Sequence, residues 1–237
     1  MFSLYAIFYQ KLPCSKNDLL FNENNKLITF LNPYYLELLR DESELYCSFD
    51  YICSDGILPI LLNKLWNRPK SVRISFDMTS LAKELFIRIE NTNLGIYFIG
   101  SEQNNIKKYV EMIQGEFPCL NVNGYHHGYI ANMFEETAKL IIESGTDIVV
   151  IGMGAPLQDK FAIFLHEKGF RGTIYTCGGF FHQTTKSLYY YPNWVDMLNL
   201  RAFYRIFKEP YVLKRVLKYY PSFIIRYSMF LWKLKLK

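Results

Sequence analysis

At 237 residues the chain can form one large domain or a domain with an appendage, and with half its residues apolar and 21% charged it is no disordered polymer. Its net charge of +5 is uneven: from Arg201 to Lys237 there are ten Lys or Arg against one acid, Glu209, and the rest holds 17 bases against 21 acids. The five cysteines (Cys14, Cys47, Cys53, Cys119, Cys177) are odd in number and form no Cys-x-x-Cys pair, which argues against a disulfide framework or a zinc knuckle and for a reducing compartment.

The first apolar run, Leu4 to Tyr9, is too short for a signal peptide and has no basic residue before it. No stretch approaches the roughly 20 apolar residues of a spanning helix. Leu27–Leu31 and Tyr51–Cys53 read as strands. Asp55-Gly56 follows the second of them. A carboxylate at the carboxyl end of a strand can take a proton from an attacking hydroxyl, and an ordinary Asp-Gly turn is the competing reading. Asp77 or Thr79 is expected to cap a helix running to Ile89. Gly95–Ile99 predicts a strand, and Ile106–Met112 and Met133–Ile142 carry apolar residues at helical spacing. His126-His127-Gly128-Tyr129 lies between them. Neighbouring histidines on a strand point to opposite faces, so this reads as a loop that hydrogen-bonds rather than as a metal site.

Asp147–Ile151 is nearly all apolar, as a strand buried on both faces should be. The turn after it is Gly152-Met-Gly154-Ala-Pro156-Leu-Gln158-Asp159. Its glycines allow a phosphate or sugar close to the backbone, and Pro156 can open a helix whose first amides face an anion. A plain strand-to-helix turn is the alternative. A dinucleotide fingerprint fits poorly, since Leu157 stands at the third glycine and no acid ends the next strand, Thr173–Thr176. Cys177-Gly178-Gly179 makes another glycine turn, in which Cys177 reads as a small buried thiol. No Asp-x-Asp occurs, so the metal clamp of one large class of sugar transferases is missing.

Near Pro192 the composition turns aromatic and basic. Val212, Leu213, Val216, Leu217 and Tyr220 are predicted on one helical face, with Lys214, Arg215 and Lys218 on the other. Trp232, Lys233, Lys235 and Lys237 close the chain, a composition suited to lipid headgroups; a tail helix packed on the core is the alternative, and nucleic acid does not call for such aliphatics. The strand–helix alternation predicts an α/β sheet in a core of residues 1–192, with a C-terminal appendage of residues 193–237. Since the alternation is complete by Thr176, the core is expected to fold without the tail.

These segments, in order, resemble the WecG/TagA/CpsF family of glycosyltransferases from about Lys26 to Arg215. The matching elements are Thr29-Phe-Leu-Asn32-Pro33, Asp55-Gly56, Val72-Arg73 with Asp77, Phe98-Ile-Gly100 and His127-Gly128-Tyr129. Gly152-x-Gly154-x-Pro156-x-Gln158, Gly178-Gly179, Pro192-x-Trp194, Arg205, Glu209-Pro210 and Arg215 follow. Asp159 stands where the family has Glu, Ser75 where it has Gly, and Tyr190-Tyr191 where it has Arg-Ala, differences that bear on the donor sugar rather than the reaction class.

The resemblance implies a Rossmann-like parallel-sheet core with helices on both faces and a helical, basic-aromatic C-terminal appendage. It implies inverting transfer from a UDP-sugar, N-acetylmannosamine-like or a related hexose, with no cofactor and no metal. The acceptor would be a polyprenyl-diphosphate-linked saccharide used in capsule or teichoic-acid type polysaccharide synthesis. The partner surface would be an anionic membrane, reached from the cytoplasmic side, and not nucleic acid. On this reading Asp55 is the base, and Thr29 and Asn32 complete the catalytic set. Gly100, Gly152, Gly154, Pro156, Gln158, Gly178 and Gly179 bind the donor, and Arg73, Arg205 and Arg215 meet its diphosphate. The alternative is another Rossmann-like nucleotide-binding enzyme, an oxidoreductase or epimerase.

Overall fold

The strands are β1 (Leu27–Leu31), β2 (Tyr51–Ser54), β3 (Ile96–Gly100), β4 (Val122–His126), β5 (Ile148–Gly152) and β6 (Thr173–Thr176), most of them from apolar, β-branched runs. The computed structural model describes residues 3–20, 25–68, 71–192, 194–195, 198 and 200–236; Asn193, where the appendage was expected to begin, and Lys237 lie outside them. The six strands form one sheet of order β2-β1-β6-β5-β3-β4. Its registered pairs β1–β6, β6–β5, β5–β3 and β3–β4 are all parallel. Every residue of β1, β3, β5 and β6 is buried; β3 and β5 accordingly read as unbroken apolar runs, while β1 and β6 bury threonines among theirs. β4, Val-Asn-Gly-Tyr-His, is half-buried at the sheet edge and has no such run; sequence reasoning missed it for that reason.

The helices are α1 (Leu4–Gln10), α2 (Pro33–Leu38), α3 (Ile57–Leu65), α4 (Leu81–Ile89), α5 (Gln103–Glu116), α6 (Phe134–Glu143), α7 (Leu157–Glu167), α8 (Phe180–Thr184), α9 (Arg201–Lys208) and α10 (Pro210–Lys235). At the start of α4 the capping expectation changes. Ser80 occupies the N-cap position, while Asp77 Oδ1 accepts from the Thr79 amide and hydroxyl at 2.9 and 2.8 Å and so shapes the turn before it. The short reach of Asp77 favours a turn two residues on over a cap three residues on.

Two compact units are present. One comprises Met1–Leu19, Phe30–Ser75 and Tyr191–Lys237; the other comprises Leu20–Thr29 and Phe76–Tyr190. The second unit has an aromatic core in which Phe98, Tyr109 and Phe181 meet with ring centroids 4.6–6.1 Å apart. Such edge and tilted pairs add to burial because the ring quadrupoles attract.

The first unit is built around α10. Phe223, Tyr227 and Leu231 are fully buried, and Tyr227 and Phe223 meet Tyr5 of α1 at 5.6 and 6.1 Å. The buried Glu37 carboxylate of α2 accepts from the Tyr5 hydroxyl and, at 2.7 Å, from the Ser222 hydroxyl, with Arg226 3.9 Å away. Tyr227 donates to Asn63 of α3 at 2.9 Å, and Arg68 donates to the Leu231 carbonyl at 2.8 Å. The tail is therefore packed into the core of this unit, through long-range contacts that the alternation of strands and helices does not report. The predicted apolar face of the tail is also redistributed. Val212 is buried, while Leu213 and Leu217 lie exposed beside Lys214 and Lys218.

Candidate active site

In the first unit, β2 ends at Ser54 and leaves Asp55 half-buried at its carboxyl end, the Asp55 amide donating to the Leu31 carbonyl at 3.0 Å. Gly56 follows as the N-cap residue of α3, its α-position 3.4 Å from the Pro33 ring for any added Cβ. A parallel bridge between Ser54 and Arg73, with the Ile74 amide on the Ser54 carbonyl at 3.2 Å, lays the 73–75 segment beside the end of β2. The Ser75 hydroxyl then donates to Asp55 Oδ1 at 2.6 Å, and Arg73 Nη1 reaches the Ser75 oxygen at 3.4 Å.

The C-terminal helices of the same unit bring cations and phenols to this carboxylate. Arg205 of α9 donates to Glu209 Oε2 at 2.9 Å, and Tyr211 donates to the same oxygen at 2.6 Å. Burial works against the Arg205 charge, but Tyr191, the charge and hydrogen bond of Glu209, and Asp55 outweigh it, so its pKa is raised. Burial pushes the Tyr220 phenol up to about 12; Asp55 adds to the rise and Arg205 opposes it. Arg215 stacks over Tyr34 at 4.6 Å and Tyr211 at 4.9 Å. A base-capable carboxylate, two arginines and a tyrosine thus interact within one unit, and Arg215 adjoins them through Tyr211. Such a set can accept a proton at Asp55 and meet developing phosphate charge with guanidinium donors.

In the second unit the glycine turns sit at the carboxyl ends of β3, β5 and β6. Gly100 must be glycine because a Cβ there would lie 2.2 Å from the Gly152 carbonyl oxygen. Gly154 has a φ of +79°, and the Ala155–Pro156 peptide is cis. Gln158, nearly fully buried, accepts at Oε1 from the Gly154 and Gly178 amides at 3.1 and 3.0 Å, clamping the β5 and β6 turns together. Thr29 is fully buried: it donates to Asp159 Oδ1 at 2.6 Å and shares a 2.8 Å contact with the Thr176 hydroxyl. Asp159 lies in the first turn of α7, so a carboxylate of the protein itself already answers the positive end of that helix. Burial holds the Cys177 thiol well above its usual range, which suits the inert reading and not a nucleophile.

The family model for the glycosyl transferase WecG/TagA/CpsF family matches residues 9–237. The chain belongs to that family. It is 34% identical over 203 residues, 85% of each chain, to a UDP-Gal:alpha-D-GlcNAc-diphosphoundecaprenol beta-1,4-galactosyltransferase of Shigella boydii. It is 29% identical over 179 residues, 75% of this chain and 68% of the relative, to an N-acetylglucosaminyldiphosphoundecaprenol N-acetyl-beta-D-mannosaminyltransferase of Bacillus subtilis (strain 168). The activity is therefore that of a glycosyltransferase, and the oxidoreductase or epimerase alternative falls.

Against the family pattern, the first unit brings Asp55, Arg73 and Arg205 into one electrostatic group. Asn32 is used locally, its Oδ1 accepting the Tyr35 amide at 3.1 Å as the cap of α2. Thr29 and Gln158 make hydrogen bonds within the protein. Gly179 is the N-cap residue of α8 and Pro156 that of α7. His126 Nδ1 lies 2.8 Å from the His127 carbonyl, in keeping with a hydrogen-bonding loop, and among the described residues no three His, Cys, Asp or Glu converge. Sequence reasoning missed the parts of Ser75, Tyr191 and Tyr220. The signal available for Ser75 was that it stands where the family has Gly; Tyr220 was visible only as one of several tail aromatics.

Proposed function

We propose that this glycosyltransferase moves a hexose from a UDP-sugar to a saccharide carried on a polyprenyl diphosphate, with inversion and without a metal ion. The observation that carries the reading is Asp55 at the end of β2, held by Ser75 and in the field of Arg205. The acceptor hydroxyl gives its proton to the Asp55 carboxylate as its oxygen bonds to the anomeric carbon. The bond from that carbon to the UDP oxygen breaks, and UDP leaves with the electron pair. Arg73, Arg205 and Arg215 supply the charge for the leaving diphosphate, a task suited to forked donors. The glycine turns after β3, β5 and β6 are assigned to the donor, with Gln158 and Thr29 holding the segments around them, and Asn32 is assigned to shaping the start of α2. The Shigella relative favours galactose or a close hexose as the sugar, and both relatives favour a GlcNAc-diphosphate-lipid acceptor.

The proposed workplace is the cytoplasmic face of a membrane, with anionic lipid as partner. Among the described residues no helix is long and apolar enough to cross one. Phe203, Phe207, Leu217, Ile225 and Trp232 are exposed alongside Lys208, Lys214, Lys218 and Lys233, the pairing of apolar and basic groups that suits a headgroup zone. A donor screen tests the proposal: UDP release from UDP-galactose, UDP-N-acetylmannosamine and UDP-glucose with a GlcNAc-diphosphate-polyprenol analogue, in EDTA, with the product linkage read by NMR. A β-linked product formed in EDTA from one of the three is expected. A product that keeps the donor's anomeric configuration, or a strict need for added magnesium or manganese, would contradict it.

A further inference from the structure

We infer that Ser75 is a positioning residue for the Asp55 carboxylate, acting through a relay that runs from Arg73 to Ser75 to Asp55. The inference rests on the proposal that Asp55 is the base. The Ser54–Arg73 bridge lays the 73–75 segment along the end of β2, and there the Ser75 hydroxyl reaches the Asp55 carboxylate. The hydroxyl has one proton, and it goes to Asp55 Oδ1 at 2.6 Å, within the short range of O–H to carboxylate bonds. The lone pairs of the same oxygen face Arg73 Nη1 at 3.4 Å, which polarises the hydroxyl toward the carboxylate. Ser75 is 3% exposed, so bulk water has little access to its hydroxyl.

The relay has two consequences. It fixes the plane of a carboxylate that must meet an acceptor hydroxyl within hydrogen-bond reach. It also favours the charged form of Asp55, keeping the base ionised to lower pH. Among the described residues, groups that also interact with this carboxylate include Cys53 on its own strand, Arg205 on α9 and Tyr220 on α10, with Tyr191 and Glu209 acting on Arg205. They remain in place when only the Ser75 hydroxyl is removed.

The test uses the full chain and measures kcat, donor KM and the pH dependence of kcat/KM for wild type, Ser75→Ala, Ser75→Gly, Ser75→Thr and Asp55→Asn, with circular dichroism to check folding. Loss of the hydroxyl in Ser75→Ala and Ser75→Gly should lower kcat roughly tenfold with little change in donor KM. Their acid limb should move to higher pH, because the carboxylate loses a donor to its charged form. Ser75→Thr keeps a hydroxyl and should restore both rate and limb. In the Asp55→Asn background, Ser75→Ala should add nothing. An unmoved acid limb in folded Ser75→Ala, or a rate loss that Ser75→Thr does not rescue, would overturn the inference while leaving Asp55 as the base. Wild-type transfer by Asp55→Asn would instead remove the base assignment and the inference with it.

Discussion

Glu209 holds Arg205 by an ion pair of 2.9 Å, and Tyr211 donates to the same carboxylate oxygen at 2.6 Å. A lysine at residue 205 could keep the charge but not the fork that serves Glu209 and phosphate oxygens together. Arg205→Ala is therefore expected to lower kcat/KM by about 10²-fold, the scale of a lost transition-state donor, and Arg205→Lys should recover little of it. Steady-state kinetics on both variants checks this. At this scale the place of Asp55 after an apolar strand was legible, whereas its role as base came only with the family resemblance. The part of Ser75 was not legible, because its partner is 20 residues away and is brought to it by the Ser54–Arg73 bridge, which no local periodicity reports. Thr29 was visible as a polar residue in a buried strand, but that its hydroxyl is committed to Asp159, 130 residues on, is a tertiary fact.

At the scale of elements, α10 is held by polar contacts as well as aromatic ones. Tyr227 is fully buried and its hydroxyl serves Asn63, itself 2% exposed. Tyr227→Phe leaves the ring packing intact and strands the Asn63 oxygen, at a cost of about 1–3 kcal/mol. Urea denaturation should show that loss as a lower midpoint at unchanged slope. Glu37→Ala removes the acceptor of both Tyr5 and Ser222, and a loss of about 2–4 kcal/mol is expected from the same assay. The strands β3 and β5 were legible because burial on both faces writes a continuous apolar run, and β1 and β6 because they are rich in β-branched and aromatic residues. β4 was not, because an edge strand has no such requirement. The tail read clearly as a helix, but which of its faces is buried depended on α1, α2 and α3, which periodicity alone does not place.

At the scale of the whole molecule, the basic tail belongs by contact to the unit that carries Asp55. A chain ending at Pro192 would lose Phe223, Tyr227 and Leu231 from that unit's core and leave Tyr5, Phe8 and Glu37 uncovered. It should express as aggregate or unfold without a cooperative transition in calorimetry; a cooperative transition with native-like far-UV dichroism would show that the unit closes without α10. The exposed bases Lys208, Lys214, Lys218, Lys233 and Lys235 should each add about 1 kcal/mol on an anionic bilayer. The full chain should sediment with phosphatidylglycerol vesicles and release as salt rises, because the attraction is screened. Sedimentation that is indifferent to salt would count against the electrostatic part of that docking. The central claim is that Asp55 removes the acceptor proton, and its most direct test is the rate of sugar transfer from a UDP-hexose to a GlcNAc-diphosphate-polyprenol analogue by Asp55→Asn in EDTA, with UDP affinity measured in parallel. The account predicts a fall of about 10²- to 10⁴-fold in transfer with UDP binding nearly unchanged, whereas transfer near the wild-type rate would contradict it.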